Sequence, residues 1–202
     1  MIRNGKTFAL GMALMLSFLV VYYVMMMPIY GNGRNGLQFS DDMFNSLSKG
    51  SAYFVAEETK KAEKMTGKNI DVTIKAADRA EAEKWGKLYS TAGADVKVND
   101  AKVTISGDLS KMMKATLADC EAMYNNQGDK LSGKYGIEAR EAHYAWYSSY
   151  KKIDFELKAQ QKFQESSAIN SVMKKGIEPT YNYYGIEIKY VKDNVGIVTF
   201  LL

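Results

Sequence analysis

From Thr7 to Tyr30 the chain carries no charged residue. Beyond it, apolar positions recur at every second residue or at every third to fourth. At about 1.5 Å per residue, Thr7 to Met27 reaches roughly 31 Å as a helix, one hydrocarbon thickness. Tyr22, Tyr23 and Tyr30 gather at one end of the run, where amphipathic rings suit the headgroup region. Pro28 stops the helix, and Gly31-Asn32-Gly33-Arg34-Asn35-Gly36 reads as a flexible exit. Residues 7–30 are therefore expected to form a membrane anchor and residues 31–38 a linker. A cleaved signal peptide has an apolar core of roughly 7–15 residues and a small-x-small site. This run is longer and Gly31-Asn32-Gly33 is a poor site, so the anchor is expected to be retained. A pilin-type leader wants a Glu just inside the helix, and none is there.

The periodicity beyond residue 38 predicts an α+β domain. Ser40 is placed as an N-cap with Asp41 and Asp42 in the first turn, and Phe39 and Phe44 as a hydrophobic staple. This helix is expected to run to about Met65, making 39–67 a stalk or docking helix before an α+β domain over 68–202. Ile70, Val72 and Ile74 alternate with polar residues, the signature of a half-buried strand. Asp78 to Ala92 reads as a helix with Trp85, Leu88 and Tyr89 inward. Val96, Val98, Val103 and Ile105 flank a hairpin turn at Asn99-Asp100-Ala101. Gly107-Asp108 opens a helix whose inward seam is Met113, Leu117, Cys120 and Tyr124.

A polar stretch, Asn125 to Gly136, is expected to lead into a long helix from Ile137 to Lys175. His143, Trp146, Tyr150, Ile153 and Leu157 form its seam at alternating three- and four-residue spacings. Ile186, Ile188 and Tyr190 alternate as a further strand. Val195 to Leu202 is a continuous apolar run, expected to be a strand inserted in the sheet or covered by a partner; the rival is the start of a second membrane helix. The order β-α-β-β-α-long α-β-β is compatible with a ferredoxin-like layer carrying an inserted long helix. Val96 to Asp108 with its following helix resembles the hairpin–helix half of the BON domain, a small lipid-associated periplasmic module. That likeness is one of local pattern, without membership.

The charge changes the picture once it is divided. The formal charge is +4, but Arg3, Lys6 and Arg34 all precede the first acid, which leaves 24 basic against 23 acidic side chains in the rest. No basic face remains for nucleic acid. The Lys/Arg bias before the apolar run puts residues 1–6 in the cytoplasm and the main domain outside it, periplasmic or extracellular.

The chemistry-bearing residues are few. With one Cys and one His, intramolecular disulfides, Cys-rich zinc sites and most catalytic constellations are excluded. His143 sits on the apolar seam as a structural imidazole, and Cys120 shares a helical stripe with Met113 and Leu117 as a buried thiol. No catalytic, metal or cofactor-binding residue is expected. Ala9 and Ala13 are a small-xxx-small pair that would let another membrane helix approach. Tyr144, Trp146, Tyr147, Tyr150, Tyr181, Tyr183, Tyr184 and Tyr190 crowd into the last third of the chain, either as core packing or as an interface. Tyr147, Tyr183 and Tyr184 are the candidate interface residues.

The sequence thus reads as a non-catalytic, single-pass accessory or structural subunit of a larger inner-membrane complex. Its expected partners are other integral membrane subunits, the lipid bilayer and further copies of itself. The layout resembles platform subunits of pilus and secretion machines at fold level. The alternative class is a membrane-tethered sensor or ligand-binding module, which would need an apolar pocket under the Tyr-rich third.

Overall fold

The computed structural model describes residues 4–196 and Thr199. The chain is a mixed α+β protein in two compact units, Met1–Gly50 with Glu187–Leu202, and Ser51–Ile186.

The first unit begins with α1, Gly5–Met26, a helix long and apolar enough to cross a membrane. Asn4 caps it by accepting the Thr7 N–H at 3.3 Å, and every residue of the helix is exposed. Met27 leaves helical geometry (φ −71°, ψ 146°), as the residue before Pro28 must. Instead of a loose exit there is a fixed reversal. Gly31, Asn32 and Gly33 take φ of 87°, 52° and 71°, the Arg34 N–H donates to Gly31 O and the Tyr30 N–H to Arg34 O, each at 3.1 Å.

Helix α2 (Gly36–Ser51) starts earlier than the Ser40 cap predicts. Asn35 and Gln38 close a reciprocal capping box: Asn35 Oδ1 accepts the Gln38 N–H at 2.9 Å, and Gln38 Oε1 accepts the Asn35 N–H at 3.0 Å. Ser40 lies inside the helix and its hydroxyl donates back to Gly36 O at 2.8 Å. Residues Glu187–Tyr190 run along α2 without strand pairing. The Lys189 N–H donates to Ser46 O at 3.2 Å, and Ile188 lies against Gly50. The expected strand Ile186–Tyr190 is therefore an irregular segment, in which Ile186 and Ile188 are half-buried and Tyr190 is 58% exposed. Of the apolar run after it, Val195, Gly196 and Thr199 are helical, with the Thr199 hydroxyl donating to Val195 O at 2.8 Å. The rest of the expected C-terminal strand lies outside the described residues.

The second unit opens with α3, Val55–Glu63, so the expected single helix from Ser40 to Met65 is two. Gly50 weakens helix continuation, and Tyr53 leaves the helical path to meet the Tyr124 ring at a tilt (4.8 Å between ring centres) and donate to the Glu121 carboxylate. Strand β1 (Asn69–Lys75) keeps the predicted alternation, with Ile70, Val72 and Ile74 buried. Helix α4 (Arg79–Thr91) is capped by Asp78, whose carboxylate accepts the Glu81 N–H at 2.8 Å, and Trp85, Leu88 and Tyr89 point inward as predicted. Strands β2 (Asp95–Asn99) and β3 (Lys102–Asp108) form the hairpin around Asp100-Ala101, where Asp100 takes φ 53°. The sheet is antiparallel in the order β1-β3-β2, with Val72 opposite Ile105 and Ile74 opposite Val103.

Helix α5 (Leu109–Tyr124) carries the predicted seam, capped by Asp108, which accepts the Lys111 N–H at 3.1 Å. The stretch expected to be polar loop folds as α6, Gly128–Tyr135, burying Leu131 and Tyr135. The expected long helix Ile137–Lys175 is also divided. Helix α7 (Ala139–Ala159) ends where Gln161 turns to φ 59°. Helix α8 (Phe163–Val172) then passes through a π turn, Met173–Ile177, into α9, Glu178–Asn182. Pro179 has no N–H for the carbonyl four residues back, and the wider turn absorbs that loss. Gly176 fits closely inside it: a Cβ would come within 3.1 Å of Leu117 Cδ2 and 3.4 Å of Cys120 Sγ on α5.

Trp85, Leu88, Tyr89, Val103, Ile105, Leu117, Trp146, Tyr150, Ile153 and Leu157 form one continuous core. Each such side chain contributes about 1.5–3 kcal/mol on removal from water, an upper estimate given a compact unfolded chain.

Candidate interaction surface

Helix α7 carries two different faces. Its N-cap, Glu138, accepts the Glu141 N–H at 3.0 Å and fixes where the helix starts. From there the three-to-four spacing turns His143, Trp146, Tyr150, Ile153 and Leu157 fully inward. The positions half a turn away, Tyr144, Tyr147, Ser148, Lys151, Lys152 and Phe155, point out of the core or to its margin.

The inward face is anchored by polar atoms. Asp119 on α5, itself buried, accepts from the Tyr135 hydroxyl at 2.6 Å, Trp146 Nε1 at 2.8 Å and Lys134 Nζ at 2.9 Å. Tyr89 and Ser149 share a hydrogen bond at 2.9 Å, and Thr116 and Tyr150 another at 2.8 Å. Tyr89 meets Trp146 edge-on at 4.9 Å. Burial raises the hydroxyl pKa of Tyr89, Tyr135 and Tyr150.

His143 joins α7 to the π turn and α9. Its Nε2 lies 2.8 Å from Thr180 Oγ1 and 3.2 Å from Ile177 O. A carbonyl only accepts, and Thr180 gives its own proton to Gly176 O at 2.7 Å, so Nε2 carries the hydrogen. Nδ1 is a buried acceptor with no partner, and burial pushes the imidazole pKa down to about 4, against a smaller opposing pull from Asp119. The ring is thus a neutral structural group, stacked parallel to Tyr181 at 6.4 Å. Cys120 is fully buried and desolvation raises its thiol pKa, which removes it as a nucleophile. Among the described residues no three metal-ligating side chains converge.

The outward face is grooved and aromatic. Tyr144, Tyr147, Ile177, Glu178, Tyr181 and Asn182 line a cavity of about 230 Å³ between α7 and α9. A broader one of about 550 Å³ continues along Tyr147, Lys151, Lys152 and Phe155 to Glu81. A third, of about 160 Å³, lies between Tyr147, Lys151, Asp154, Asn170 and Lys174. Tyr147 is common to all three. Its ring sits 6.3 Å from Tyr144 and 5.5 Å from Lys151 Nζ, while Tyr144 is 55% and Phe155 69% exposed. Arg140 lies over the rings of Tyr181 (5.6 Å) and Tyr184 (5.3 Å) and donates to Tyr184 O at 3.1 Å.

The three candidate tyrosines therefore occupy different settings. Tyr147 is central to the grooved face. Tyr184 is half-buried against Gly128, where a Cβ would fall 2.0 Å from its hydroxyl oxygen. Tyr183 is half-buried and lines none of the three cavities. Tyr144, Lys151, Phe155 and Tyr181 complete the face. The recurrence of Tyr144, Tyr147, Lys151 and Phe155 at three- and four-residue spacing, out of phase with the core seam, is the sequence signal for it. Ala9 and Ala13 lie exposed on α1. No protein family, curated protein or solved structure matches the chain.

Proposed function

We propose that this chain is a non-catalytic, single-pass membrane-anchored accessory or structural subunit of a larger inner-membrane complex. In this reading its N-terminus is cytoplasmic and its second unit assembles with partners outside the cytoplasm. The observation that carries the reading is α1, whose 22 residues keep their apolar surface uncovered among the described residues. Each Leu, Val, Ile, Phe or Met left in water forgoes about 1.5–3 kcal/mol, a penalty a bilayer removes. Arg3 and Lys6 before the helix support the orientation. The aromatic and cationic face of α7 supports the partner role, since Tyr and Arg combine contact area with polar ends and Phe adds apolar area. The β1-α4-β2-β3-α5 order supports reading the sheet as part of a ferredoxin-like layer.

A second reading, a membrane-tethered sensor or ligand-binding module, rests on the cavity of about 230 Å³ between Tyr144, Tyr147 and Tyr181. A platform-type subunit of a pilus or secretion machine is a special case of the first. Purification of the full chain in mild detergent tests them: a stoichiometric set of integral membrane proteins is expected. Recovery of the chain alone, together with a small molecule, would favour the sensor. A reporter active only outside the cytoplasm, fused after residue 100, is expected to be active; activity confined to the cytoplasm would overturn the orientation.

A further inference from the structure

We infer that α2 is an interfacial helix whose first turns lie in the bilayer surface, with Leu37 and Phe44 set into the acyl boundary. The inference rests on the reading that α1 spans the membrane, and three observations within the first unit carry it.

The turn at Gly31-Asn32-Gly33 brings the chain back onto α1. At Gly36 the approach is so close that a Cβ would sit 2.8 Å from Met25 Cγ and 3.1 Å from Met25 O. Helix α2 therefore starts level with the last turns of α1. Beside that contact lies a largely apolar cleft of about 270 Å³ between the two helices, lined by Val20, Val21, Val24, Tyr30 and Phe39, with Ser40 at its margin. If α1 is embedded, this cleft opens at the depth where acyl chains meet headgroups, and lipid is the solvent that fills it.

The second observation is the division of α2 itself. At 100° per residue, Phe39, Met43, Leu47, Phe44 and Leu37 share one arc, and Gln38, Asp41, Asp42, Asn45, Ser48 and Lys49 share the other. A helix so divided, beside a membrane anchor, has the pattern of one lying in the interface plane.

The third is which flank of the apolar arc the protein covers. Met43 is 1% exposed, and the Glu187–Tyr190 segment lies on the Ser46 and Gly50 side. Leu37 and Phe44, one turn pair apart on the opposite flank, remain 53% and 41% exposed. Arg34 pairs with Asp42 where the polar arc begins. On that arc Asp41 and Asp42 are exposed while Lys49 is buried at 1% exposure, so the charge facing the headgroups is acidic and insertion depends on apolar contact and not on anionic lipid.

The test places an environment-sensitive fluorophore at single cysteines, Tyr23→Cys, Leu37→Cys, Phe44→Cys and Asn45→Cys, in the full chain. Each is reconstituted into phosphatidylcholine vesicles with and without phosphatidylglycerol. Nitroxide-bearing lipid is expected to quench the labels at 23, 37 and 44 to a similar extent in both vesicle types, and aqueous iodide to quench only the label at 45. Quenching at 23 without quenching at 37 and 44 leaves α1 in the membrane and overturns the interfacial helix. Silence of 37 and 44 towards both quenchers means protein covers that flank, which also overturns it. Lipid quenching at 45 equal to that at 37 would mean the helix is immersed on all sides and would contradict the divided arc. If 23 itself escapes lipid quenching, the membrane reading of α1 fails and this inference with it.

Discussion

The two faces of α7 are built from the same kinds of residue and do opposite things. Inward, Trp146 and Tyr150 have every polar atom engaged, by Asp119 and by Thr116. Outward, Tyr144, Tyr147 and Phe155 are exposed or half-buried, and Lys151 Nζ lies over the Tyr147 ring. Composition does not separate these faces; the fate of each ring's polar end does. A tyrosine whose hydroxyl finds a buried partner specifies the core, and one whose hydroxyl faces a groove is left for something outside the chain.

That contrast sets the order of expected effects. Trp146→Ala should cost most, about 4 kcal/mol, because it opens a cavity and leaves a buried carboxylate short of a donor. Denaturant unfolding of the full chain in detergent, followed by near-ultraviolet circular dichroism, measures it. A loss under about 1 kcal/mol would mean the inward face is not the core this account makes it. Asp119→Ala should follow at about 3 kcal/mol, since the Tyr135 hydroxyl and the Trp146 N–H are then buried without an acceptor.

Acidification should come next. The folded His143 pKa, about 4, lies below the 6.5 of the free imidazole. Between those values the unfolded chain binds a proton that the folded chain refuses, so stability falls as pH drops from about 6.5 to 4, by about 1–3 kcal/mol. Asp108 and Asp154 have lowered carboxylate pKa values despite the opposing push of burial, through backbone and side-chain hydrogen bonds and neighbouring lysines. Their stabilisation is lost only at lower pH, as the carboxylates protonate. His143→Gln should flatten the slope across the upper window; an unchanged slope would assign it to other groups. Smallest of all, Tyr144→Ala and Phe155→Ala should change stability by no more than about 0.5 kcal/mol, as exposed side chains do. A thiol reagent adds a simple check: Cys120 should react only after unfolding.

The sequence carried some of this plainly. The alternation of Ile70, Val72 and Ile74 is a direct imprint of one buried sheet face, and the α7 seam from His143 to Leu157 is one of a helix against a core. Element ends were less legible. Gln161 breaks α7 with a left-handed backbone that nothing in its side chain announces. Gly128–Tyr135 becomes a helix on two apolar anchors, Leu131 and Tyr135, too few to stand out from a polar run. Helix α2 starts at the Asn35–Gln38 capping box, ahead of Ser40, whose following acids Asp41 and Asp42 imitate a first helical turn. The alternation of Ile186, Ile188 and Tyr190 does not mark a strand: Ile188 lies against Gly50 and the Lys189 N–H donates to Ser46 O, while Tyr190 stays exposed, and no ladder partner is present among the described residues. The grooved face was legible only in part. Tyr147 stood out among clustered aromatics, whereas Phe155 and Tyr181 join it through the packing of α9 on α7, which depends on the π turn.

The most direct test of the central claim compares what co-purifies with the wild-type chain and with Tyr147→Ala, Phe155→Ala and the double variant, in mild detergent. Each variant's unfolding midpoint is measured alongside. Membrane partners are expected with wild type, graded loss with the single variants and near-complete loss with the double, while the midpoints of the Phe155→Ala and wild-type chains agree. Partner recovery unchanged in the double variant, with all chains folded, would contradict the claim that the outward face of α7 is where this protein assembles.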